Sequence, residues 1–184
     1  MKRTTQTIGL IFLSIMIYSC SKKDNEIIIS EGDYFPLEIG NYWQFDNSQK
    51  NEVIGSKLIE NLNYFESVYS DDTSYYRIDN NKIIVKENND SIGLKFDLTA
   101  NVNDTWNYNS WKVTLSSKKD TIKIGNIKYI NCYRYCFDIH NLPDASHCIW
   151  LAPGLGFIQE SCNMCLNSIK KVNKARINNQ EINY

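Results

Sequence analysis

The chain has 184 residues, 42% of them hydrophobic, and a formal net charge of −1. That length and apolar content suit one globular domain of ordinary size. The pI is near 6.1 and no basic face of the kind that neutralises phosphates is visible in the sequence, so nucleic acid is not an expected partner.

Lys2 and Arg3 open the chain with a short positive segment, and Ile8 to Tyr18 then run almost wholly apolar, interrupted by Gly9 and Ser14. As a helix this run spans about 16 Å, too short for a hydrocarbon core about 30 Å thick. A positive start, a short apolar run and a small residue before the cut describe a secretory signal, not a spanning helix. Ile17-Tyr18-Ser19-Cys20, followed by the polar Ser21-Lys22-Lys23-Asp24-Asn25-Glu26, resembles the lipobox of bacterial lipoproteins. The resemblance implies that cleavage precedes Cys20 and that the Cys20 thiol carries a diacylglycerol, making a membrane the first expected partner. Each buried CH₂ of such chains contributes about 0.8 kcal/mol to anchoring. Ser21, where Asp would retain the protein, implies an outer-membrane address. The Lys22 to Glu26 stretch is similar to signals that send lipoproteins to the cell surface; a solvated tether is the simpler alternative. The expected organisation is a signal peptide over 1–19, a lipidated tether over 20–33 and a single β-rich domain over 34–184.

From Tyr34 onward Val, Ile, Tyr, Phe, Trp and Thr recur in short runs punctuated by Asn, Asp, Gly and Ser, the vocabulary of strands and turns. The pattern predicts strands near 42–46, 52–60, 63–70, 73–79, 82–87, 92–98, 105–116, 121–130, 131–139, 147–152, 156–161 and 167–173. Turns are expected at Asp46-Asn47-Ser48, Ser70-Asp71-Asp72, Asn80-Asn81, Asn88-Asn89-Asp90, Lys118-Lys119-Asp120 and Gly125-Asn126. Asn80-Asn81 and Gly125-Asn126 suit two-residue hairpins, because Asn and Gly tolerate positive φ. No segment after Cys20 carries a 3.6-residue apolar period. By contrast, residues 133–139 alternate, with Tyr133, Tyr135, Phe137 and Ile139 on one face. The predicted class is all-β: an antiparallel meander forming a half-barrel, a barrel or a sandwich, its edges closed or covered against aggregation.

One internal echo stands out. Phe35-Pro36-Leu37 leads through Ile39-Gly40-Asn41 into Trp43 and Phe45, and Phe96-Asp97-Leu98 leads through Val102-Asn103-Asp104 into Trp106 and Tyr108. In each, the turn reverses the chain and the Trp and the aromatic two residues on share a strand face. Similar hairpin approaches account for this economically; a duplicated half-domain would add pseudo-symmetry. Tyr34 to Trp43 also resembles the opening of many uncharacterised secreted lipoproteins (YFPLxxGNxW), and Leu151 to Ile158 resembles their late hairpin (LAxGxGxI). That resemblance implies a β-rich extracytoplasmic domain and carries no assigned chemistry.

With Cys20 taken by lipid, five cysteines remain: Cys132, Cys136, Cys148, Cys162 and Cys165. An exported protein meets oxidising conditions, so disulfides are expected. Cys132 and Cys136 on one extended strand lie about 13 Å apart, beyond the ~7 Å Cα limit for a bridge. A hairpin around Ala152 to Gly156 favours Cys148–Cys162, with Cys132 or Cys136 to Cys165 second. The competing reading is zinc: Cys162-Asn163-Met164-Cys165 has knuckle spacing, and Cys132, Cys136 or His147 could complete four ligands. No second tight pair supports it, so no metal and no cofactor are expected. A redox Cys-x-x-Cys lacks the βαβ context that usually precedes one.

Hydrolase parts are sparse. His140 and His147 flank a loop holding Asp144 and Ser146, yet neighbours in sequence are not a triad. Asp71, Asp72, Asp138 and Asp144 show no spacing that selects an acid–base pair, and Gly154-x-Gly156 sits in a hairpin, not before a helix. No catalytic residue is therefore nominated. Twelve Tyr, seven Phe and four Trp are first of all core material; Trp43 and Trp106 are assigned to it, leaving Trp111 and Trp150 as ligand-contact candidates. Asp90-Ser91-Ile92 and Asp120-Thr121-Ile122 resemble a bacterial O-glycosylation tripeptide, at Ser91 and Thr121. The expectation is a non-enzymatic binding module for a glycan, a lipid or an envelope protein. A structural subunit of an envelope complex comes second and a hydrolase third.

Overall fold

The computed structural model describes residues 26–45, 50–87, 91–139, 142–162 and 168–184, excepting the side chains of 143–145. The leader, Cys20, His140, Cys165 and the turns expected at 46–48 and 88–90 lie outside the described residues. Fourteen strands are described: β1 (Ile27–Ile29), β2 (Tyr42–Phe45), β3 (Lys50–Ile59), β4 (Leu62–Tyr69), β5 (Asp72–Asp79), β6 (Lys82–Glu87), β7 (Ile92–Asp97), β8 (Thr105–Tyr108), β9 (Trp111–Ile124), β10 (Ile127–Ile139), β11 (Leu142–Ala152), β12 (Gly156–Cys162), β13 (Ser168–Ile177) and β14 (Gln180–Asn183). Tight Asn turns join several of them. Glu60 and Asn61, Asn80 and Asn81, and Asn178 and Asn179 all have positive φ, a backbone Asn visits at little cost.

The order is β7-β6-β5-β4-β3-β2-β13-β12-β11-β10-β9-β8. Two six-stranded meanders, β2 to β7 and β8 to β13, are thus joined where β13 pairs antiparallel with β2. β1 adds parallel to the start of β10, and β14 adds to the end of β13. At the far junction the join is made by side chains. Trp106 Nε1 donates to the Leu94 carbonyl on β7 (2.9 Å), and the Tyr108 hydroxyl and Asn109 amide both donate to Glu87. Of the three shapes left open by the sequence, the sheet adopts a nearly closed barrel.

Its centre is aromatic. Phe35, fully buried, comes from the segment before β2 and meets Tyr76, Phe96 and Phe157 at centroid distances of 5.4, 5.9 and 5.1 Å. Phe96 lies edge-on to Tyr135 and Phe137, two of the residues that alternation placed on one face. Burying each such ring contributes about 1.5–3 kcal/mol relative to leaving it exposed.

The two stretches that carry the lipoprotein resemblance pack on one another. Gly154 N donates to Asp33 O (2.9 Å), and the Trp43 indole donates to Leu155 O (2.5 Å). A Cβ on Gly32 would lie 2.6 Å from Gly154 N, and one on Gly156 would lie 3.1 Å from both Pro36 and the Trp43 ring. These signatures form a clasp between the incoming chain and the β11–β12 turn.

The internal echo has a structural counterpart. Gly40 N donates to Val53 O and Val53 N to Asn41 O; Asn103 N donates to Leu115 O and Leu115 N to Asp104 O. Both turns are therefore fastened by the same pair of backbone bonds to the second strand after them, β3 and β9 respectively, and each is followed by a six-stranded meander. The repeated connectivity fits similar hairpin approaches as well as a duplicated half-domain.

Four expectations need correction. Residues 26–33 belong to the folded body, since β1 pairs with β10, Glu26 meets Lys123 (2.8 Å) and Gly32 abuts Gly154; the expected tether over 20–33 is too long. The strand foreseen over 105–116 breaks at Asn109 (φ 52°), and the one over 121–130 is cut by the Gly125-Asn126 hairpin. Lys118-Lys119-Asp120 is no turn. β9 runs through it because the register shifts opposite Arg134 absorb the irregularity without reversing the chain.

Candidate functional site

Alternating strand directions sort the connections to two ends of the barrel. One end carries the turns at 60–61, 80–81, 125–126, 153–155 and 178–179. At the other end a cleft of about 470 Å³ opens between β2–β5 and β7 on one wall and β11–β13 on the opposite wall. Phe45, Tyr76 and Phe157, all buried, supply its apolar part. They reach it because strand side chains alternate and these three fall on the inward face: Phe45 at the end of β2, Tyr76 in the middle of β5 and Phe157 near the start of β12, so the cleft runs down into the barrel. Asn51, Ser67 and Ser74 supply amide and hydroxyl groups, with Ser67 Oγ bonded to Asn51 Oδ1 at 2.6 Å.

Charge gathers toward the mouth. Glu160 and Lys170, facing each other across β12 and β13, form an ion pair at 3.5 Å. Lys95 also lines the cleft, with its ammonium 5.5 Å from the Tyr108 ring centroid. Asp72 completes the lining opposite in sign. His147, on β11 beside this region, stacks on Phe137 at 4.7 Å and meets Trp111 edge-on at 4.8 Å. Burial, helped by the Lys95 charge, pushes its imidazole below the ordinary range, so the ring is neutral at pH 7 and packs as an aromatic. Aromatic faces beside hydroxyls, an amide and balanced charges can hold a polar ring compound through stacking and directed hydrogen bonds.

The cysteines pair differently from the favoured expectation. Cys136 and Cys148 sit opposite each other in the β10–β11 ladder, Cα atoms 4.1 Å apart, and are bridged. Cys148–Cys162 does not form: Ser161 lies opposite Cys148 and His147 opposite Cys162, so the two thiols project from opposite faces. Cys162 is disulfide-bonded as well. With Cys136 and Cys162 oxidised, the zinc alternative loses two thiolates. Cys132 is free and fully buried, and burial pushes its thiol up to about 12; such a thiol is inert.

Neither tryptophan nominated for ligand contact lines the cleft. Trp150 is buried and donates to Asp120 (2.7 Å) beneath the Arg134 guanidinium, while Trp111 packs on His147. Trp43 is core as expected, and Trp106 is partly buried against it. Among the described carboxylates singled out, Asp71, Asp72 and Asp138, only Asp72 lines the cleft. Thr121 is exposed in mid-strand rather than at a turn edge, and its neighbour Asp120 is held by Trp150 and Arg134. Ser91 stands immediately before β7. Sequence reasoning missed the lining as a set, because no motif separates Phe45, Tyr76 and Phe157 from the other inward aromatics. Set beside known proteins, this chain matches no family model, no curated protein and no solved structure.

Proposed function

We propose that this protein is a lipid-anchored extracytoplasmic binding protein whose barrel-end cleft takes a small, hydroxyl-rich ring compound, a glycan unit. The observation that carries the reading is the pairing, in one cleft, of buried aromatic faces with Ser67, Ser74 and Asn51. A volume of about 470 Å³ lies within the range of ligand pockets, about 300–1,000 Å³. A simple acyl chain fits this lining less well, since it would leave the hydroxyl and amide groups without partners. The address rests on the Ile17 to Cys20 lipobox resemblance and the short leader before it.

Two measurements test this. Intact-mass analysis of the membrane-extracted protein should give a chain that begins at Cys20 and carries acyl mass. A glycan screen of that chain by native mass spectrometry should find a mono- or disaccharide ligand. Ser74→Trp, which fills the cleft from a partly exposed strand position, should abolish binding while leaving the melting temperature unchanged. Binding that survives Ser74→Trp would refute the cleft as the site.

A further inference from the structure

From the position of the tether we infer that the turn end of the barrel lies against the bilayer, with Ile27, Ile28, Ile39, Leu58 and Leu62 entering the lipid surface and the cleft held outward. The inference rests on the reading that Cys20 is acylated. Its own support is geometric. These five aliphatics range from 43% exposed at Leu62 to 67% at Leu58, and all lie at the turn end. Leu58 and Leu62 flank the Glu60-Asn61 turn, and Ile27 pairs with Ile127 beside the Gly125-Asn126 turn. Ile39 stands next to Gly40 and Asn41, and Asn41 Oδ1 accepts from Asn178 N in the β13–β14 turn. Ile92, Leu142 and Ile169 are exposed toward the cleft end, but the turn end gathers more such side chains, with Ile78 and Val102 beside the five; singly set aliphatics need no explanation, whereas a gathering at one end does.

The tether decides what covers that end. Six residues, 20–25, separate the acylated position from Glu26, the first described residue; fully extended they reach about 20 Å. Glu26 stands beside the start of β10, and β10 needs 13 residues to run from there to the cleft end, about 43 Å at ~3.3 Å per residue. Tilted by about 35–45° as barrel strands are, that strand still rises about 30–35 Å along the axis, and a leash of about 20 Å cannot invert a body of that height, so the cleft mouth does not face the bilayer. Of the orientations left, the upright one buries the exposed aliphatics in the interface, where apolar area and acyl chains act together.

The acylated full-length mature chain, reconstituted in phosphatidylethanolamine–phosphatidylglycerol vesicles doped with a diazirine phospholipid, tests this directly. After photolysis, peptide mapping should place crosslinks on the segments carrying Ile27–Ile28, Ile39 and Leu58–Leu62. Crosslinks on Tyr69, Leu142 or Ile169, which are exposed at the cleft end, or none in the β domain, would overturn the orientation while leaving the anchor intact. A chain whose mass shows no acyl group would overturn the anchor as well. Paired Ile28→Glu and Leu58→Glu substitutions, at exposed positions, should remove the crosslinks there without altering the melting temperature or glycan binding; unchanged crosslinking would also overturn the inference.

Discussion

Gly156→Ala measures what the clasp between the incoming chain and the β11–β12 turn contributes. Gly156 has φ +83°, and its new Cβ would lie 3.1 Å from Pro36 Cδ and Trp43 Cζ2 and 3.3 Å from Trp43 Nε1. Left-handed backbone costs an L residue about 1–2 kcal/mol, and overpacking adds about 1–3 kcal/mol. Trp43 has nowhere to withdraw, because its indole is bonded to Leu155 O and stands edge-on to Phe157 at 5.4 Å. The sum is about 2–5 kcal/mol, against a domain stability of about 5–15 kcal/mol. Gly125→Ala is the control, with φ +56° and nothing within 4 Å of the added atom, so it carries the backbone cost alone. For a domain of this size each kcal/mol lowers Tm by about 2–4 °C. Urea and thermal unfolding of both variants, followed by circular dichroism, should therefore separate them by at least about 1 kcal/mol. Equal losses would show that the Gly156 contact is slack and that the clasp contributes nothing beyond turn geometry.

Replacing Cys136 and Cys148 together by Ala should cost about 3 kcal/mol in chemical unfolding, the loop-closure value for a bridge of this span, and chymotryptic mapping of the unreduced protein, which cuts between the cysteines after Phe137 and beyond them after Trp150, should recover a 136–148 linked peptide. Cys132, held near 12 by burial, should resist iodoacetamide at pH 8 in the native protein and react only once denaturant is added; rapid native alkylation would contradict its burial. The Glu181 carboxyl is held at about 2 by the Tyr42 hydroxyl first, then by Arg176 and Lys174. A depressed folded-state pKa means its stabilising effect is present above its ordinary value of 4.5 and fades as pH falls from there toward 2. Glu181→Gln should accordingly flatten part of the acid-side loss in melting temperature over that window; an unaltered pH profile would show that these exposed contacts are screened away.

What the sequence made legible was what depends on short range. Alternation at Tyr133, Tyr135 and Phe137, the Asn80-Asn81 turn and the repeated Gly/Asn-Asn/Asp approach all survive into the barrel, because side-chain direction and φ tolerance are local properties. The disulfide was not legible for the opposite reason. Its partner choice hangs on register, and one bulge between Trp150 and Leu151 sets which residue faces Cys148. The cleft was less legible still. Phe45, Tyr76 and Phe157 come from three strands remote in sequence, and nothing in their neighbourhoods says which end of a closed sheet stays open. Trp150 drew attention through ring size alone, and the fold used it to satisfy Asp120.

The two six-stranded meanders meet at two unlike joins. Between β13 and β2 the halves are zipped by a backbone ladder; between β7 and β8 they are merely buttoned, by Trp106, Tyr108 and Asn109 reaching across to Leu94 and Glu87. A zip shares load along its length, whereas buttons release one at a time. Strain anywhere in this cylinder will thus gather along the buttoned side, which is also where Lys95 stands beside Tyr108, and amide protons there will be the first to trade with water.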